Sequence, residues 1–263
     1  MTTPADQTIA ALRSGHDELA ALVRGLATAD LTRGSGASEW TIGQVLSHLG
    51  SGAEIGLAVL EAAVTGGAAP DGEFNQKVWA RWDAMTPAEQ ADGFRYANEQ
   101  LVLRYESLDA ATREGLRVNL GFLPEPVDVA IAAAFRLSEF AHHQWDVEVG
   151  YNQYAALAPE AVPVLLDRLP FLLGFIGRPD ALGGRHATLA VDLSNPDRSF
   201  GLELGEKIAL TDAPEQPDGT LRAPAEAWLR LATGRLAAAH TPDTVTVTGP
   251  VDLDDLRRVF PGF

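Results

Sequence analysis

Glu139 and His143 stand four residues apart in the segment 127–148 (VDVAIAAAFRLSEFAHHQWDVE). On a helix, that spacing sends both side chains off one face, a turn apart. His48 lies in a second apolar stretch among Ile42, Val45, Leu46, Leu49 and Ile55, close to its inward stripe. Two imidazoles and one carboxylate with an open fourth position form the ligand set of a catalytic zinc site, whereas structural sites close all four positions with protein ligands. Helical bundles build metal sites from carboxylates and histidines that project inward, and a metal would offset the cost of burying Glu139. Metal–ligand bonds of about 2 Å require the three groups to lie within about 6 Å of one another. Spacing alone leaves two plainer accounts open. An i,i+4 Glu–His pair is also an ordinary solvated helix pair, and a histidine on an apolar stripe is also a hydrogen-bonded core residue. His142 points about 100° away from His143 on an ideal helix. It reads as a supporting or surface residue, with an exchange of roles between the two still open.

Such a cluster needs at least two helices held side by side. Ile9, Leu12, His16, Leu19, Leu22, Val23 and Leu26 recur at helical spacing and predict a first helix over 5–27. After a polar, Gly-rich loop (32–39), Thr41 precedes Gln44 by three residues, a capping box that opens a second long helix to about Val64. Gly66 and Gly67 close it. Residues 73–84 read as a short helix or ordered loop carrying Trp79, Arg81 and Trp82. Thr86-Pro87-Ala88-Glu89 starts a third long helix, to about Leu108. A loop with Pro124 and Pro126 leads into a fourth over 127–148, with Gly150 where a C-cap glycine belongs. Four long helices with short connections predict an antiparallel up-down bundle.

Past residue 154 the texture changes. Residues 160–176 still read as helix. Short alternating runs follow at 187–193, 200–204, 207–211, 220–222 and 245–247, with turn residues between them and helices over 225–236 and 253–259. The fold class is therefore α+β: a four-helix bundle over 1–153 and a smaller α+β domain over 154–263.

The net charge of −16 disfavours binding to nucleic acid or anionic membranes. No apolar run is long enough to span a bilayer, and the N-terminus lacks the pattern of a secretion signal. A cytoplasmic protein, monomer or homodimer, is expected. With no cysteine in the chain, any sulfur chemistry must use a thiol brought by a small molecule.

The segment Trp40–Leu49 (WTIGQVLSHL) resembles the W-[ST]-x-x-x-[LV]-[LV]-x-H-L motif of the DinB-like helical-bundle superfamily. Glu139–Asp146 (EFAHHQWD) looks like the E-x-x-x-H-x-W-D motif of its mycothiol-dependent maleylpyruvate isomerase branch. Leu221–Leu236 (LRAPAEAWLRLATGRL), followed by Val245–Gly249, is similar to the sterol-carrier-like second domain of that branch. The resemblance implies that His48, Glu139 and His143 bind zinc. Other branches use three histidines, so Glu139 points to this one.

The chemistry so implied is coherent. Zinc would hold mycothiol as its thiolate near neutral pH, and the thiolate would add to a small electrophile such as maleylpyruvate or a related unsaturated acid. Loss of thiolate after bond rotation gives an isomerase; release of the adduct gives an S-transferase. Arginines are natural clamps for ligand carboxylates. Arg81, beside Trp82 in the connector after the second long helix, and Arg235 of the Gly-Arg segment are the candidates, Arg81 and Trp82 also as cofactor contacts. Ordinary salt bridges remain the alternative for both arginines. Trp145 reads as core packing, and Asp146 either orients a ligand or is an exposed helix-end carboxylate. Two other functions compete: a thiol-independent metal-dependent hydrolase or lyase, and a non-catalytic protein binding a small apolar ligand.

Overall fold

Thr3 starts the first helix. Its hydroxyl accepts from the Asp6 N–H at 3.1 Å, while the Asp6 carboxylate accepts from the Thr3 N–H at 3.0 Å. In the computed structural model, which describes residues 2–262, this helix is α1 (Pro4–Arg24). It stops short of the expected 27 because the Asp30 carboxylate accepts the Ala27 N–H and begins a separate turn, α2 (Thr28–Leu31). Leu26 therefore lies outside the helix. The Thr41–Gln44 capping box opens α3 (Ile42–Thr65), and Gly66 closes it at φ +70°, a conformation that favours glycine. Then come α4 (Gly72–Asp83) and α5 (Pro87–Glu106), the latter capped reciprocally by Thr86 and Glu89.

The stretch before the fourth long helix is more structured than a loop. α6 (Ala110–Gly115) leads into β1 (Arg117–Val118), which pairs antiparallel with β2 (Val127–Asp128). Asp128 then caps α7 (Val129–Glu148) by accepting the Ile131 N–H at 2.7 Å. Gly150 is not a left-handed cap, since it is absent from the positive-φ glycines among the described residues. A Cβ there would lie 3.3 Å from the Val147 carbonyl and 3.4 Å from the Gly34 carbonyl and Ile42, near ordinary contact distance.

The chain forms two compact units, Met1–Asn152 and Gln153–Phe263. In the first, α1 packs on α5 and α7, and α3 packs on the same two helices. Thus α1 and α3 sit across the bundle from each other, as do α5 and α7. The connections 25–41 and 107–128 must cross the bundle, which is why they carry α2, α6 and the hairpin and are not the short loops expected. Leu12, Leu19, Leu46, Leu49, Phe94, Leu101 and Phe140 fill the core. Trp82 of α4 wedges between α3 and α5. A Cβ at Gly50 would overlap its ring, and one at Gly93 would lie 2.9 Å from it. Two glycines thus make the slot that holds α4 to the bundle.

The second unit comprises α8 (Val162–Ile176), β3 (Ala187–Ser194), β4 (Arg198–Leu204), β5 (Ile208–Thr211), β6 (Gly219–Pro224), α9 (Ala225–Ala232), β7 (Thr246–Thr248) and α10 (Leu253–Val259). Its sheet order is β5-β4-β3-β6-β7, with β3 and β6 parallel and the other pairs antiparallel. Leu189, Val191, Leu202 and Leu221 are buried with Trp228 and Phe260. α9 ends before the expected 236 because Gly234 turns left-handed at φ +74°. Among the described residues, no helix is long and apolar enough to cross a membrane.

Gly50→Ala forces the Trp82 indole out of its slot. The expected result is a loss of roughly 1–3 kcal/mol, the usual scale of core overpacking, seen as a lower melting temperature; an unchanged melt would show that the wedge does not lock α4.

Candidate metal centre

The cap at Thr41 fixes where α3 begins and so which way His48, seven residues on, faces. His48 Nε2 lies 3.1 Å from Glu139 Oε2, and His143 Nε2 lies 3.8 Å from the same oxygen. The three donor atoms all fall within 4.8 Å of one another, inside the span a common coordination sphere requires. The imidazoles meet edge to face with centroids 4.6 Å apart. Helices α3 and α7 therefore bring together the residues that the sequence singles out.

The cluster sits at the edge of the bundle. The Glu139 side chain is 49% exposed and that of His48 37%, against 11% for His143. Glu139 is thus not the buried carboxylate expected, and relief from burial is not what a metal would provide. What the residues do provide is three converging donors. Partial loss of water pushes the Glu139 carboxyl up, but the hydrogen bond from His48 and the charges of His143, His48 and Arg136 outweigh it and hold the group at about 2.

The surroundings aim these donors. Asp146, fully buried, lies 2.8 Å from His143 Nδ1. With Nδ1–H directed to that carboxylate, the Nε2 lone pair faces Glu139 and His48, the arrangement that metal-binding histidines use. Of the two readings left open for Asp146, burial decides for the orienting one. The Gly36 N–H donates to the Asp146 carbonyl at 2.7 Å, tying the loop before α3 to α7. That tie brings Trp40 over both imidazoles: it stacks on His143 at 5.9 Å and 20°, and tilts against His48 at 5.2 Å. In the sequence Trp40 is only a motif position; nothing in its spacing reveals this contact. Trp145 is core, 2% exposed. His142 is buried, with Nδ1 2.7 Å from the Ser138 carbonyl of its own helix, outside the cluster.

Arg136 is the other residue that sequence reasoning passed over, although a guanidinium within the apolar run VAIAAAFRL is a signal. One turn before Glu139, its Nη2 donates to the Leu49 carbonyl at 2.8 Å and to Asn98 Oδ1 at 2.7 Å. Burial lowers its pKa to about 10, against the charge of Glu139, so it remains a cation at neutral pH. The Asn98 amide in turn meets His16 Nδ1 at 2.9 Å, and His16 Nε2 meets Glu99 at 2.8 Å. His16, Asp17 and Glu99 make a second cluster of metal-ligand types. Arg13, 2.6 Å from Glu99 and 3.2 Å from Asp17, already supplies its positive charge.

A cleft of about 360 Å³ opens from His48 along α3, past Gln44, Ser47 and Ser51. Trp40 walls it beside His48, and Trp79 and Asp83 of α4 line it as well. The residues proposed from sequence for this region fare differently. Arg81 pairs with Glu54 and is not among the cleft's lining residues. Trp82, suggested as a cofactor contact, is 2% exposed and donates from Nε1 to the other Glu54 oxygen at 3.0 Å. It is a wedge beneath the surface and offers no face to a ligand. Arg235 belongs to the second unit, where its Nη1 donates to the Thr233 carbonyl at 3.2 Å.

The family described as mycothiol maleylpyruvate isomerase N-terminal domain matches residues 12–148 of this chain, which include all three donors. The chain belongs to that family. Among solved structures, it is similar to a mycothiol-dependent maleylpyruvate isomerase at a TM-score of 0.66 and 15% identity, over 95% of this chain and 98% of the other. A histidine-to-alanine mutant of such an isomerase gives the same figures. At that identity the likeness establishes the fold, and it extends through both units. No curated protein matches in sequence.

Arg136→Met leaves the buried Asn98 Oδ1 without its donor and removes a second bond to the Leu49 carbonyl, which keeps its own helical partner. The bundle is expected to lose roughly 1–3 kcal/mol, the scale of orphaning one buried acceptor, measured by chemical denaturation. An unchanged midpoint would show that Arg136 does not tie α7 to α3 and α5.

Proposed function

We propose that this chain is a metal-dependent, mycothiol-dependent isomerase or S-transferase acting on a small electrophile such as maleylpyruvate or a related unsaturated acid. The observation that carries the proposal is the convergence of His48 Nε2, Glu139 Oε2 and His143 Nε2. The residues fit a divalent metal. Two imidazoles and one carboxylate suit zinc, the Asp146 carboxylate holds His143 in the ligating tautomer, and the cleft beginning at His48 leaves the cluster open on one side.

A bound zinc ion supplies the Lewis acidity that keeps a thiol ionised near neutral pH. The chain's own residues do the rest. His48, Glu139 and His143 would hold the ion, Asp146 orients His143, and Trp40 stacks on His143 and leans on His48, limiting how their rings can turn. Arg136 holds the segment before Glu139 against the residue after His48. The chain has no cysteine, so the thiol has to come from a cofactor, and the family to which the chain belongs carries mycothiol in its name. Arg235, in the second unit, stays a candidate carboxylate clamp on its sequence pattern alone. Arg81, held by Glu54, is the weaker candidate.

Metal analysis of untagged protein is expected to find about one zinc per chain, and His48→Ala is expected to abolish it. Asp146→Asn leaves the three ligands in place but removes the partner of His143 Nδ1, so metal affinity, measured against a chromophoric chelator, is expected to fall roughly 10–100-fold. Turnover of an unsaturated acid is expected only with added thiol. Metal-free protein with full turnover, or turnover that ignores thiol, would overturn the proposal.

A further inference from the structure

The cleft beside the donor cluster has a chemistry of its own. Trp79 is 47% exposed and Trp40 38% exposed, so two indoles present apolar faces to a solvent-filled space. Between them lie the Ser47 and Ser51 hydroxyls, the Gln44 amide and the Asp83 carboxylate. Among the described residues lining the cleft there is no lysine or arginine. A small dicarboxylate has nothing here to neutralise it, and Asp83 repels it. Indole faces bind flat C–H surfaces, while hydroxyl, amide and carboxylate groups exchange hydrogen bonds with alcohols. That combination recognises a neutral, polyhydroxylated ring. At about 360 Å³ the cleft is at the small end of ligand sites and suits a ring or two. Because His48 lines it, a ligand that fills it ends at the donor cluster.

We propose that this cleft is the subsite for the sugar–cyclitol portion of the thiol cofactor, and that the electrophile approaches the cluster from elsewhere. The inference rests on the thiol-dependent reading above. Mycothiol carries its acylated cysteine on a glucosamine–inositol pair, both neutral polyols once the amine is acylated, so the cleft takes the handle and the cluster takes the sulfur. Trp79 gives the ring its stacking face, and Asp83 and the serines hold its hydroxyls.

The test is calorimetric titration of the metal-loaded protein with mycothiol and, separately, with N-acetylcysteine, which has the thiol and no sugar. Trp79→Ala is expected to weaken mycothiol roughly tenfold, the scale of losing one aromatic face. The ratio of the two affinities then falls by the same factor, with metal content per chain unchanged. Asp83→Asn, a second exposed position, is expected to shift the ratio in the same direction by a smaller factor. Equal losses for both thiols, or no loss for mycothiol, would overturn the assignment. Wild-type protein that binds neither thiol would instead end the thiol-dependent reading. In that case titration with glucosaminyl-inositol lacking the cysteinyl arm decides the cleft: binding that Trp79→Ala abolishes sustains it, and no binding overturns it.

Discussion

The candidate site depends on the register between α3 and α7. The three donors come from two helices far apart in sequence, and a slide of one residue along either axis, 1.5 Å, with its 100° rotation, would scatter them. Arg136 is placed to prevent that slide. Its guanidinium reaches from α7 to the Leu49 carbonyl, the residue after His48, and to Asn98 of α5. A planar group with several donors can hold two acceptors on different helices at once, which an apolar contact cannot do, because packing alone tolerates small shifts. The cost is a partly desolvated cation, and the lowered pKa of Arg136 reflects it.

The second constraint is the loop before α3. Gly36 approaches α7 so closely that a Cβ would sit 2.9 Å from the Trp145 ring, and its N–H binds the carbonyl of the same Asp146 whose side chain steers His143. One residue, Asp146, thus anchors the loop with its backbone and orients a donor with its side chain. Trp40 follows from this arrangement, since a loop pinned at Gly36 and capped at Thr41 has little freedom over where its tryptophan lies.

Much of this was legible in the sequence, and the reasons differ by element. Capping boxes at Thr41 and Thr86 state helix starts in local chemistry, and both hold. The strands of the second unit alternate clearly, and each lies within about two residues of its expected bounds. Errors fell where tertiary contacts outrank local pattern. Gly150 reads as a left-handed cap but does not take that conformation, and 107–128 reads as loop because two-residue strands carry no periodicity. Trp82 could not be separated from Trp79 by type or spacing; which of two tryptophans on one helix becomes wedge and which becomes cleft wall depends on Gly50 and Gly93, on other helices. The donors His48, Glu139 and His143 were visible because a ligand set is a matter of residue type and helical phase. Arg136 was harder to see because its partners, the Leu49 carbonyl and the Asn98 amide, lie on other helices, so only the guanidinium within an apolar run marks it.

Charge bears on what such a cluster would hold. Glu139 contributes one negative charge at neutral pH, its carboxyl held at about 2, and Arg136, one turn away, returns one positive charge. On the proposed function, a divalent cation held by the cluster would leave the site net positive and so favour an anionic ligand over a neutral one. A third histidine in place of Glu139 would raise that charge by one and draw anions less selectively. The carboxylate among the donors would then suit a monoanion such as the proposed thiolate, while the cleft beside it, with Asp83 and no lysine or arginine among its described lining residues, would suit the uncharged remainder of the same molecule.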